Sequence, residues 1–150
     1  MPTQLRQKEK KTVFVGHDYT LRGGRKTKFR QAVAKALKGT SYISIYADTA
    51  PRRQHVLKDI IKKIKKSELC VFDLTDYKWQ FNPGKNLNVL LELGISIGAG
   101  IHSFIAYKEG CINFKEELSN LLGSYRYPYK NYGQFSNDLH EFIITIGTKA

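Results

Sequence analysis

Leu69-Cys70-Val71-Phe72-Asp73 is an unbroken apolar run that stops in a carboxylate. A run this short, with no polar alternation, fits a strand buried on both faces, as in a parallel sheet. Just before it, Leu57, Ile60, Ile61 and Ile64 recur at helical spacing after a turn at Pro51, with Lys58, Lys62, Lys63, Lys65 and Lys66 mostly on the opposite side. Further back lie a strand, Tyr42-Ile43-Ser44-Ile45-Tyr46, a helix carrying Phe29, Ala32, Val33, Ala36 and Leu37, and a first strand, Thr12-Val13-Phe14-Val15-Gly16. Forward of Asp73, a turn-rich loop from Thr75 to Gly84 leads to a helix from Asn86 to about Gly98. That helix is apolar nearly all round, so it is expected to be mostly buried. A strand over Ser103–Tyr107, a helix over 113–122, an edge strand over Tyr125–Tyr129 and a closing helix over Phe135–Ile146 complete the chain. The alternation predicts an α/β fold, a three-layer flavodoxin-like sandwich with a mostly parallel five-stranded sheet. Ligands bind such sheets outside the carboxyl ends of the strands, which directs attention to the loops after Val15, Tyr46 and Phe72.

Composition agrees with one globular domain. The 150 residues are 41% hydrophobic and 25% charged, within the range of ordinary folded proteins. We expect a domain over 12–150 preceded by a disordered basic arm over 1–11, which has no hydrophobic period. No apolar run approaches the ~18 residues of a membrane helix, and the charged start is no signal peptide, so a cytoplasmic protein without a membrane partner is expected. Cys70 and Cys111 form no CxxC pair and read as free structural thiols. The net charge of +12 makes phosphate-bearing molecules natural partners. No nucleic-acid-binding motif accompanies it, and nucleic acid is not expected as a partner.

Glu92 stands midway along the most hydrophobic helix, where a carboxylate must be paired, neutralised or useful. Asn88 and Ser96 share its stripe at i−4 and i+4; the plainer alternative is that this stripe is the helix's solvent edge. Asp73, at a strand's carboxyl end, is expected to converge with Glu92 on one pocket, the alternative being a turn-forming aspartate. The first loop, His17 to Lys26, carries Gly23-Gly24 with Arg22, Arg25 and Lys26, a set suited to phosphates at a helix N-terminus. His17 follows Gly16 at a strand end and is a candidate ligand contact. Tyr77, Trp79 and Phe81 can stack on a base or pack on one another. The four histidines are scattered, and no metal site is expected.

The segments Ser67-Glu68-Leu69-Cys70-Val71-Phe72-Asp73-Leu74-Thr75 and Asn86-Leu87-Asn88-Val89-Leu90-Leu91-Glu92-Leu93-Gly94-Ile95 resemble the nucleoside 2-deoxyribosyltransferase-like superfamily, which adjoins the TIR domains. The shared pattern is a strand ending in Asp-Leu-Thr, then a helix opening with Asn-x-Asn-Val and carrying Glu-Leu-Gly. The resemblance implies that Glu92 acts at the anomeric carbon of an N-ribosyl bond and that Asp73 helps hold the base or ribose, with Asn88 nearby. Substrate contacts are also expected from Gly16, His17, Arg22, Arg25 and Thr75, with no bound cofactor; in many members of the family the site spans a subunit interface, so the resemblance implies that a homo-oligomer is possible. Leu87 and Leu91 stand where many members have proline and tyrosine. The expected function is cleavage or transfer of the N-glycosidic bond of a nucleoside, nucleotide or NAD, the last as substrate. The alternative is a TIR-like nucleotide-binding or signalling module without turnover.

Overall fold

The computed structural model describes residues 10–17, 24–47, 56–75, 83–112, 120 and 125–147. The expected arm (all but Lys10 and Lys11), the Pro51 turn, the Tyr77, Trp79 and Phe81 loop and nearly all of the expected 113–122 helix lie outside them. The chain runs β1 (Lys11–Gly16), α1 (Arg25–Leu37), β2 (Tyr42–Tyr46), α2 (Val56–Lys66), β3 (Leu69–Asp73), α3 (Pro83–Gly98), β4 (His102–Lys108), β5 (Arg126–Tyr129) and α4 (Tyr132–Gly147). The five strands form one sheet in the order β2-β1-β3-β4-β5, and every pairing is parallel. The flavodoxin-like α/β sandwich expected from the alternation is therefore the fold observed.

Because successive strand residues point to opposite faces, the sheet divides the core in two. Val13, Val15, Leu69, Val71, Phe104 and Ala106 face α1 and α4, where they meet Phe29, Val33, Phe135 and Leu139. Phe14, Cys70, Phe72 and Ile105 face α2 and α3, against Ile60, Ile64, Val89 and Leu93. Burial of these side chains, at about 25 cal/mol per Å² of apolar surface, is the main force holding the layers together.

Boundaries move where local chemistry outweighs hydrophobic period. β1 opens at Lys11, whose ammonium lies over the Tyr42 ring at 5.7 Å. α4 starts three residues before Phe135, because Asn131 Oδ1 accepts from Gln134 N–H at 2.8 Å while Gln134 Oε1 accepts from Lys130 N–H at 2.9 Å, an arrangement like a capping box. α3 is not buried all round as expected: Leu91 is 51% and Ile97 46% exposed. Among its described side chains Val89, Glu92, Leu93 and Ser96 are buried, and Leu90 and Ile95 pack partly against the same core. At the far edge of the sheet, β5 is four residues long and carries Pro128, which is exposed. No helix among the described residues is long and apolar enough to cross a membrane.

Candidate functional site

Of the polar stripe of α3, Glu92 and Ser96 face the protein interior. Glu92 is only 4% exposed, and its carboxylate lies at the carboxyl end of β1, against Gly16. A methyl group placed at Gly16 would sit 2.6 Å from Glu92 Oε2 and 2.6 Å from the Phe72 ring, so only glycine admits this approach of strand to carboxylate. Burial pushes the Glu92 carboxyl up to about 7, since the apolar surroundings disfavour its charged form. One turn on, Ser96 Oγ meets Ser103 Oγ at 2.6 Å. Burial likewise raises the Cys70 thiol to about 11; a hydrogen bond with Ser96 opposes the shift and the Glu92 charge adds to it. Cys70 is thus an inert thiol of the core. Asn88, a turn before Glu92, is exposed at the rim.

Asp73 does not join Glu92. It follows Phe72 in β3, so its side chain projects from the opposite face, toward α1 and α4. There Oδ1 accepts from Thr75 N–H at 3.0 Å and from the Thr75 hydroxyl at 2.5 Å. Its Oδ2 accepts from the Tyr129 hydroxyl at 3.0 Å, and Thr75 Oγ1 accepts from Lys108 N–H at 3.0 Å. Each hydroxyl owns one proton. With both protons directed at the carboxylate, the 2.9 Å approach of Thr75 Oγ1 to Tyr129 Oη carries none of its own. Burial, and then the Asp73 charge, push the Tyr129 phenol far above its ordinary range, which keeps it a donor. The network ties β3 to β5 across β4, with small Ala106 opposite Asp73 in the register.

His17 also takes the α1 side, 3% exposed. Its Nε2 accepts from Arg30 Nε–H at 3.0 Å, so the ring carries its proton on Nδ1. The ring packs on Phe29 and Tyr46 at centroid distances of 4.9 and 5.7 Å, while the Arg30 guanidinium covers Tyr46 at 3.9 Å. His17 therefore fastens the end of β1 to α1. Arg22 lies outside the described residues.

A cleft of about 690 Å³ opens at the carboxyl ends of β4 and β5, beside the starts of α1 and α4. Arg25 and Thr75 line it, as do Lys28, Lys108, Tyr129 and Tyr132. Of the expected ligand contacts it gathers Arg25 and Thr75, whereas Glu92, Gly16, Asn88 and His17 are not in its wall. Sequence reasoning missed Lys28, Lys108 and Tyr129; the one available signal was the position of Lys108 and Tyr129 at strand ends. Among the described residues no group of His, Cys, Asp or Glu could hold a metal ion.

No protein-family model and no curated protein matches the sequence. Among solved structures the chain is similar to the flavodoxin-like domain of a Synechococcus sp. protein, with a TM-score of 0.51 at 15% identity over 89% of this chain and 99% of that one. It is also similar to a 2-deoxyribosyltransferase from Leishmania mexicana, with a TM-score of 0.54 at 14% identity. That likeness covers 66% of this chain and 65% of the other, less than two thirds of its length. What is shared at such identities is the fold: a flavodoxin-like α/β sandwich with a distant likeness to a deoxyribosyltransferase.

Proposed function

We propose that the chain cleaves the N-glycosidic bond of a nucleoside-type substrate, or transfers its glycosyl group, with Glu92 at the anomeric carbon. The observation that carries this reading is a carboxylate, Glu92, buried at the carboxyl end of a parallel sheet, pushed up to about 7, and admitted against the strand by Gly16. Such a group is costly to bury unless it is used. The likeness of the fold to a deoxyribosyltransferase supports the same chemistry.

In this reaction the ionised Glu92 oxygen bonds to the anomeric carbon as the carbon–nitrogen bond breaks, and a neutral base leaves with the bonding pair and takes up a proton from solvent. Water, or a second base, then attacks the same carbon, gives its proton to solvent and releases the Glu92 carboxylate. A base that leaves from a cationic state, as nicotinamide does from NAD, needs no strong acid, which makes NAD a further candidate substrate. Asp73 is a positioning residue in this scheme, fixing Thr75 and Tyr129 at the mouth of the cleft.

A second reading, nucleotide binding without turnover, is favoured by Leu91, which is half exposed and offers no phenol beside Glu92. Chromatography of released base from deoxyribonucleosides, ribonucleosides, their monophosphates and NAD separates the two. Turnover by the native protein should fall about a hundredfold or more in Glu92→Gln, with ligand affinity and circular dichroism kept, because the carboxylate acts mainly in the transition state. Equal turnover in the variant would remove Glu92 from the mechanism. No base release from any substrate would leave the binding module.

A further inference from the structure

The cleft at the ends of β4 and β5 has an electrostatic character that the Glu92 chemistry does not explain. Arg25, Lys28, Lys108 and Lys130 surround it, and among the described residues no carboxylate lines it. Lys130 approaches Glu109 only at 4.0 Å, between two largely exposed side chains, a pairing worth little in water. Lys28 and Lys108 meet no carboxylate among the described residues.

The start of α1 adds to the positive field. Its first turn holds no acidic residue, Gly24 at the cap is in the left-handed conformation at φ 76° and supplies no side-chain cap, and the turn instead carries Arg25, Lys26 and Lys28. Cations beside the positive end of a helix dipole repel it, so the arrangement is unfavourable until an anion enters. Tyr129 and Tyr132, with ring centroids 5.8 Å apart, give the cleft an aromatic wall. Its volume suits a small molecule.

We propose that this cleft is a phosphate-binding subsite, in which Lys28 and Lys108 supply the principal charges for the phosphate of a small phosphorylated ligand. Lysine serves as a compact point charge for such a group. The assignment of that ligand as a nucleoside monophosphate substrate rests on the Glu92 reading; the binding of phosphate does not.

The test uses isothermal titration of the whole 150-residue chain carrying Glu92→Gln, which on the Glu92 reading holds substrate without consuming it. Inorganic phosphate, a deoxyribonucleoside and its 5′-monophosphate are titrated into that protein, into the same protein with Lys28→Ala and Lys108→Ala, and into a control with Lys62→Ala and Lys66→Ala on the far side of the sheet. The control loses the same net charge outside the cleft. The monophosphate should bind at least tenfold more tightly than the nucleoside. That preference should vanish in the cleft variant and persist in the control, with nucleoside affinity unchanged in both. Phosphate binding that requires the cleft lysines, without any nucleoside binding, upholds the subsite and removes the nucleotide assignment. A preference that survives in the cleft variant, an equal loss in the control, or no phosphate binding at all overturns the proposal.

Discussion

At the scale of one residue, Glu92 sets opposite demands on stability and activity. Its folded carboxyl titrates at about 7 rather than 4.5, so the folded chain holds a proton that the unfolded chain releases between those values. The stability that comes with this protonated form is complete below about pH 4.5 and is lost as pH rises through about 7, a change on the order of 3 kcal/mol. Glu92→Gln should therefore flatten the fall in melting temperature over that window and melt several degrees above the native protein at pH 8. Parallel slopes for the two proteins would show that the carboxyl is already neutralised by a partner. A nucleophile must be ionised, so native turnover should climb through the same window in which stability declines. That Glu92 would matter was legible in the sequence as a carboxylate in an apolar run. That its stripe faces inward, while Leu91 and Ile97 face out, was not, because a helix apolar on every side gives no directional signal.

Among elements, the contact that joins β3 to β5 passes over the strand between them. Tyr129 spans this gap with its hydroxyl on Asp73, and Thr75 closes the network. Tyr129→Phe removes one proton donor from a nearly buried carboxylate, and the cost of such an unsatisfied group is about 1–3 kcal/mol. Urea unfolding should show that loss in Tyr129→Phe, and a cycle with Thr75→Val should show coupling, since both hydroxyls serve one acceptor. A loss under about 0.5 kcal/mol would mean that another donor replaces the phenol. Successive residues of a strand point to opposite faces, which separates Asp73 from Phe72, but the expectation that Asp73 would meet Glu92 also needed the face that α3 covers. Which helices cover each face depends on strand order and crossover direction, and no local pattern encodes those. The same reason hid the cleft: Lys28 and Lys108 belong to elements distant in sequence, brought together only by the closing of the sheet.

For the whole molecule, the open parallel sheet ends in β2 and β5, whose outer sides pair with no strand among the described residues. The pairing of β5 fixes which of its groups face outward. Ile105 N–H and Glu109 N–H donate to the carbonyls of Tyr125 and Tyr129, and the two-residue repeat of a parallel ladder then turns Arg126 and Pro128 away from β4. Pro128 stands where an incoming strand would seek an amide proton, and it has none. Short length and a proline in this position guard against intermolecular strand addition and the aggregation that follows from it. The β2 edge has no proline and presents Ile43, 40% exposed, so the two edges are unequally protected. Pro128→Val should restore the missing donor and make light scattering on mild heating appear earlier and rise with concentration, while turnover at low concentration is kept. Scattering identical to the native protein would locate the vulnerable edge at β2 alone. The residue least suited to a strand is, on this account, what keeps the last strand of the sheet its last.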